Sequence, residues 1–293
     1  MWRRALPVAV AALAAGCGSS GSATTTTTGA SAAGAAAAHR HAARARAFRP
    51  LHMPASAAPR TVRVPILTYH RVHAFATEYT KSIPDETVEP GTFAAEMAAL
   101  RRAGFHSVSQ RRLFRALFYG APLPSKPVLI SVDDGYVDGV TNILPVLRRE
   151  HMVATFYVIT GRTHEQGFLN PRQIRRLDRA GMDVGAHTRT HVPLATLPTA
   201  EAWAQIDGSR RDLQRILGHP VYWFAYPYGS FSPAVEAQVR RAGYLLAVTT
   251  NGGDVASSTA PFTLPRYHIG RSATAATVVA CAAGGCGGGA NGE

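Results

Sequence analysis

Val128-Leu129-Ile130-Ser131-Val132-Asp133-Asp134-Gly135-Tyr136 is an apolar run that ends in two adjacent carboxylates and a glycine. Such a short continuous run, without polar alternation, reads as a strand buried on both faces of a parallel sheet. The Asp-Asp-Gly that follows reads as the turn leaving its C-terminal end. About fifty residues on, Gly185-Ala186-His187-Thr188-Arg189-Thr190-His191 carries two histidines four apart. Either segment alone is commonplace, a turn in the first case and a surface or core pair in the second. Together, one carboxylate and two imidazoles leave part of a divalent ion's coordination sphere open to water and substrate, the arrangement of catalytic rather than structural sites. The second carboxylate is then free to act as a base. The chemistry implied is hydrolysis of an amide or ester.

Around this stretch, apolar runs alternate with amphipathic ones, the pattern of α/β architecture. Strands are expected at Val62 to Tyr69, His106 to Val108, Val128 to Val132, Ala154 to Ile159, Asp183 to Ala186, Trp223 to Ala225, Leu245 to Thr249 and Tyr267 to Ile269. Helices are expected after a Thr92 cap, near Leu113 to Phe118, and over Ile143 to Glu150, Pro171 to Arg179, Ala200 to Leu217 and Pro233 to Ala242. About seven strand–helix units predict a distorted (β/α) barrel, whose chemistry gathers at the C-terminal strand ends. Asp133, Asp134, His187 and Tyr228 all fall at such ends.

The chain has 293 residues and a formal net charge of +13. Residues 1–60 contribute seven arginines (3, 4, 40, 44, 46, 49 and 60) and no acid. No nucleic-acid-binding motif accompanies that charge, and a solvated tether accounts for it. Arg3-Arg4, the apolar run from Leu6 to Ala15, and Ala14-Ala15-Gly16-Cys17 read as a lipoprotein-type export signal over 1–17, with Cys17 as the lipidated residue. The apolar run is too short to span a bilayer. The expected organisation is therefore a signal at 1–17, a low-complexity disordered linker at 18–60, one folded domain at 61–273, and a Gly/Ala-rich disordered tail at 274–293. The expected location is the outer side of the cell membrane, lipid-anchored, or outside the cell. Cys281 and Cys286, five apart without other ligands nearby, suit a small disulfide loop in an exported protein better than zinc. Nothing calls for an obligate dimer, so a monomer is expected.

Over about Val62 to Arg271 the chain resembles the polysaccharide deacetylases of carbohydrate esterase family 4, the NodB-homology domain. The resemblance rests on five segments in order: Val64-Pro65-Ile66-Leu67-Thr68-Tyr69-His70-Arg71, Ser131 to Tyr136, His187 to His191, Phe224-Ala225-Tyr226-Pro227-Tyr228-Gly229, and Leu264-Pro265-Arg266-Tyr267-His268-Ile269. The first is similar to the extracellular branch that includes poly-N-acetylglucosamine deacetylases. The resemblance implies one divalent metal ion, with zinc as the first expectation, held by Asp134, His187 and His191. It implies Asp133 as general base towards a metal-activated water, and an oxyanion site at Pro227-Tyr228 using the Tyr228 backbone N–H. The implied substrate is an N-acetylglucosamine-containing envelope polysaccharide, either exopolysaccharide or peptidoglycan, losing its N-acetyl groups. An O-acetyl esterase acting on xylan and an envelope-tethered carbohydrate-binding pseudoenzyme are the alternatives.

Two positions depart from the family pattern. Ala225 stands where an arginine usually orients the base, and Arg266 stands where the last motif usually has its acidic histidine. Arginine is too basic to donate a proton at neutral pH. His268, two residues on and facing the same way along a strand, is the expected acid, with Arg266 orienting Asp133. His70 lines the cleft or packs in the core, Trp223 and Phe224 are expected in the core, and Asp254 reads as a loop carboxylate.

Overall fold

A computed structural model describes residues 50–77 and 84–286. Residues 1–49, where an export signal, a lipidated Cys17 and a linker are expected, lie outside the described residues. In chain order the strands are β1 (Thr61–Arg63), β2 (Ile66–Tyr69), β3 (Arg71–Val72), β4 (Thr87–Val88), β5 (His106–Ser107), β6 (Pro127–Val132), β7 (Thr155–Val158), β8 (Asp183–Ala186), β9 (Trp223–Ala225), β10 (Leu246–Val248), β11 (Val255–Ser257) and β12 (Tyr267–His268). The α-helices are α1 (Pro90–Arg102), α2 (Gln110–Tyr119), α3 (Leu144–Arg149), α4 (Pro171–Arg179), α5 (Thr199–Leu217), α6 (Pro233–Ala242) and α7 (Ala275–Ala282).

The apolar run at 128–132 does become the buried strand that organises the sheet. Strands pair in the order β10-β9-β8-β7-β6-β2-β12, with β5 also on β6, and every pairing is parallel. The sheet curls into a distorted barrel. Its two ends approach where Leu264 bridges Val248 in parallel, on the segment that leads into β12. Packing between strands is close enough to exclude a side chain at Gly185, where a Cβ would lie 2.6 Å from the Tyr157 ring and 2.9 Å from the Trp223 carbonyl oxygen. The helices clothe the outside. Phe93, Met97 and Leu100 of α1, at helical spacing, are fully buried. Asn170 opens α4 with a capping box, accepting from the N–H of Arg172 and Gln173 while the Gln173 side chain accepts from the Asn170 N–H. Among the described residues no helix is long and apolar enough to cross a membrane.

Several boundaries differ from expectation. The strand expected over Val62 to Tyr69 is two strands, because Pro65 cannot donate to a ladder. The helix expected after Thr92 starts earlier, with Pro90 in its first turn. The pieces β3, β4 and β11 are two or three residues long, too short to show a period. Two domain limits need correction. The linker was expected to run to residue 60, but Leu51 is buried and its N–H donates to Tyr222 Oη at 3.1 Å. The tail from 274 is expected to be disordered. Instead Thr274 caps α7, which packs on α1 and buries Val278, Cys281 and Ala282. Gly/Ala composition hid a short apolar stripe that another helix covers, and the Cys281–Cys286 disulfide closes its end. Asp254 pairs with Arg63, which also donates to the Ala283 carbonyl at 3.2 Å, so that loop carboxylate helps to hold the tail.

One buried carboxyl makes the stability of this fold pH-dependent. Glu96 on α1 is fully buried and accepts from the Tyr69 hydroxyl at 3.0 Å, while its Oε1 has no partner. Burial is the largest influence and pushes its pKa up to about 7. The folded state therefore keeps a proton that the unfolded chain releases above its ordinary value of about 4.5. Stability from this group is complete below that value and falls as pH rises to about 7, by on the order of 3 kcal/mol. In Glu96→Gln, which still accepts from Tyr69, urea-unfolding free energies compared with wild type between pH 4.5 and 7 should lose that slope. Equal slopes in both proteins would refute the assignment.

Candidate metal centre and catalytic cleft

The C-terminal ends of β2, β6, β8, β9 and β12 deliver His70, Asp133-Asp134, His187, Tyr226 to Tyr228, and His268 to one side of the barrel. Asp133 leaves β6 with its N–H donating to the Tyr69 carbonyl at 2.9 Å, still in sheet register with β2. Asp134 then takes a left-handed conformation, φ 69°, and Gly135 follows at φ 78°. The sharp turn separates the two carboxylates, which is why adjacent acids can serve different partners. Left-handed backbone is tolerated by Asp better than by most residues.

Asp133 is 1% exposed and paired with Arg266 through two parallel hydrogen bonds, Nη1 to Oδ1 at 2.9 Å and Nη2 to Oδ2 at 2.8 Å. Arg266 is itself buried and also donates from Nε to the Thr249 carbonyl at 2.8 Å and from Nη1 to Ser131 Oγ at 3.3 Å. Burial alone would raise the Asp133 pKa. The adjacent guanidinium outweighs it and, with His187 and His70, holds the carboxyl well below the usual range. Asp133 is thus ionised throughout the working pH range. The contact usually made by the family's motif arginine, absent at Ala225, is made here by Arg266 from the last motif.

Asp134 Oδ1 lies 3.6 Å from His187 Nε2 and 3.4 Å from His191 Nε2, and one ligand atom from each of the three residues falls within 4.8 Å of the others. His187 donates its Nδ1–H to the Ala225 carbonyl at 2.8 Å, which fixes the tautomer with the Nε2 lone pair facing Asp134. His191 Nδ1 is 3.0 Å from Tyr228 Oη. Burial keeps both rings neutral, lowering His187 and bringing His191 down to about 3. Burial, then the charges of Asp133 and Glu86, push Asp134 up to about 8. Its buried Oδ1 has no hydrogen-bond partner. A sealed carboxylate oxygen facing two neutral imidazole nitrogens is a donor arrangement that a cation satisfies. The donor set fits a divalent ion taken by nitrogen and oxygen ligands, zinc among them.

The loop carrying the histidines is held from outside the motif. Thr188 and His191 both have positive φ, 62° and 57°, a strained choice for such residues. Gln205 Oε1 accepts from the N–H of Arg189 and of Thr190, both at 3.0 Å, and its Nε2 donates to Thr190 Oγ1 at 2.9 Å. Arg189 forms a bidentate pair with Asp212 at 2.8 and 3.0 Å. Sequence reasoning missed Gln205 and Asp212. They lie on α5, and only the packing of α5 against the barrel gives them a role.

Trp223 and, within the third motif, Phe224 and Tyr226 are core, while Tyr228 is 53% exposed at the cleft, its ring 4.6 Å from that of His191. Pro227 is buried beside it. His70 is buried, not open, and its ring lies 5.2 Å from that of the half-buried His268. Arg266 faces Asp133, whereas His268 meets His70 two residues further along the chain.

Residues 120–247 match the sequence profile of the family described as polysaccharide deacetylase. The fold is similar to that of the Streptococcus pyogenes deacetylase PplD, solved in complex with acetate, at a TM-score of 0.69 and 27% identity over 74% of this chain and 96% of that one. It is similar to IcaB from Ammonifex degensii at a TM-score of 0.65 and 25% identity over 77% and 97% of the two chains. The Bacillus subtilis protein YxkH is 23% identical over 210 residues, 72% of each chain. Proteins named as peptidoglycan and chitin deacetylases also match, and the chain spans about half the length of each.

Proposed function

The chain carries a polysaccharide deacetylase domain of the NodB-homology type, and from that premise we propose that it removes N-acetyl groups from an N-acetylglucosamine-containing envelope polysaccharide in a metal-dependent hydrolysis. The observation that carries this reading is the buried Asp133–Arg266 pair directly beside the Asp134, His187 and His191 triangle. One carboxylate is reserved for a proton and the other for a cation. A divalent ion held by Asp134, His187 and His191 supplies polarisation of the acyl oxygen and acidification of water.

Asp133 takes the proton of the attacking water as oxygen bonds to the acetyl carbon. Its low pKa makes it a weak base, so it contributes chiefly by being held in place to take that proton. Arg266 holds both carboxylate oxygens in place and limits their rotation. The Tyr228 backbone N–H donates to the oxyanion as charge develops on the acyl oxygen. The carbon–nitrogen bond then breaks as His268, whose bound proton burial makes easier to release, gives that proton to the leaving amine; Asp133 passes its own proton back through solvent, and acetate and a free amino sugar result. Exposed Tyr228 offers a ring face on which a sugar can stack.

The export signal at 1–17, lipidation at Cys17 and the segment up to residue 49 support action on the outer side of the cell membrane, on polymer within reach of a tether. The test is acetate release by the intact chain from poly-β-1,6-N-acetylglucosamine oligomers, β-1,4 chitooligomers, peptidoglycan and acetylxylan, with and without added divalent metal. Metal-dependent release from a glucosamine polymer is expected. Release from acetylxylan alone would replace amide by ester hydrolysis, and no release from any substrate by metal-loaded protein would overturn the reading.

A further inference from the structure

We propose that His70, Glu86 and His268 form a second divalent-cation site in the same cleft, and that filling it inhibits the enzyme. Among the described residues, two groups of three bring one ligand atom each within 4.8 Å of one another, and this is the group other than Asp134, His187 and His191. The donor types are identical: two imidazoles and one carboxylate. His70 follows β2, His268 ends β12, and these strands pair in parallel register, Thr68 opposite His268. Glu86 arrives from the turn at Pro84–Glu86 that leads into β4, which pairs with β3 directly after His70. Two sheets that meet at His70, between β2 and β3, therefore position all three.

Two observations point to a ligand. His70 is 7% exposed and turns its Nε2 towards Glu86, and the buried Nε2 of His268 has no hydrogen-bond partner. Sealed imidazole nitrogens are expensive to leave unpaired and call for an explanation in a native structure. His70 Nε2 and Glu86 Oε1 are 4.0 Å apart. That is too long for a hydrogen bond, but an ion bonded to both at about 2.1 Å fits between them. Ligand atoms on a tetrahedral ion lie about 3.4 Å apart, so His70 Nε2 and Glu86 Oε1, at 4.0 Å, must close by about 0.6 Å. This site is therefore the weaker of the two. A cation already held at Asp134 weakens it further by repulsion.

The inhibitory consequence rests on the proposed proton donation by His268, since an imidazole bonded to a metal cannot protonate the leaving amine. The stoichiometry does not depend on that role. The experiment is equilibrium dialysis of the chelator-stripped full chain against Zn2+, with elemental analysis and parallel acetate-release assays. Wild type should bind two equivalents, the second at least about 10-fold more weakly, and activity should rise with the first and fall with the second. Glu86→Gln and His70→Ala should each keep one equivalent and lose the second, while His187→Ala should lose the tighter one and keep the weaker. Circular dichroism checks that each variant is folded, and the conservative, part-exposed Glu86→Gln decides the matter if His70→Ala does not fold. Saturation of wild type at one equivalent, or two equivalents retained by Glu86→Gln, would overturn the site. Two equivalents with undiminished activity would overturn the inhibition. Failure of every polysaccharide to release acetate would count against the proposed function and leave the dialysis result to decide the site.

Discussion

Asp133→Asn should bind its divalent ion at Asp134, His187 and His191 as wild type does, while kcat for acetate release falls about 10²- to 10⁴-fold, the usual worth of a positioned general base. Asparagine keeps the shape of the side chain but cannot accept a proton as a carboxylate does. The cost falls elsewhere. Arg266 would remain buried with its charge unbalanced, keeping the Thr249 carbonyl and Ser131 hydroxyl as acceptors but losing its ion pair. Removing one partner of a buried pair typically destabilises by about 3–5 kcal/mol. Thermal melting must therefore accompany the kinetics, with activity measured well below the variant's midpoint. A folded, metal-loaded Asp133→Asn within tenfold of wild-type kcat would remove Asp133 from the role of base.

His187→Ala should abolish both metal retention and activity. His187 supplies the most buried of the two imidazoles, and its tautomer is fixed by the Ala225 carbonyl. Without it, Asp134 and His191 alone face the cation, and Ala225 loses a donor at a cost of about 1–3 kcal/mol. Metal binding stabilises wild type by an amount that grows with occupancy, about 4 kcal/mol at a thousandfold excess over Kd. The metal-induced rise in melting temperature should therefore shrink to what any weaker site contributes. Binding is also linked to pH. Asp134, pushed up to about 8 without a cation, must release its proton to bind one. Affinity should rise as pH approaches 8 and flatten above it. An undiminished tight equivalent in His187→Ala would place the metal elsewhere.

Much of this was legible in the chain. The continuous apolar run before Asp133 reads as a strand buried on both faces, and the alternation around it as helices stacked on a parallel sheet. Pro171–Arg179, Asp183–Ala186, Trp223–Ala225 and Pro233–Ala242 have the limits read from the sequence. Proline, glycine and capping residues act locally there, so local reading suffices. The same reading failed at α7. Helix formation from 275 to 282 depends on covering Val278 and Cys281 with α1, some 180 residues earlier in sequence, and no local signal reports that.

The sequence by itself determined which residue types are present to do chemistry, and that each follows a strand. It therefore determined that a barrel would bring Asp133, Asp134, His187 and His191 to one rim. Only the tertiary structure decided how they divide the work. The turn at Asp134 sends one carboxylate to Arg266 and the other to the histidines. The β10-to-β12 closure carries Arg266 onto Asp133 in place of the missing arginine at 225. Packing of α5 sets Gln205 and Asp212 beneath a strained loop, and β2 against β12 brings His70 to His268. Hydrophobic periodicity is set by neighbours along the chain, and so survives in the sequence. Charge pairing, burial and proton affinity depend on groups far apart in sequence, 133 residues for Asp133 and Arg266, meeting in a low-dielectric space, and these exist only once the chain has closed.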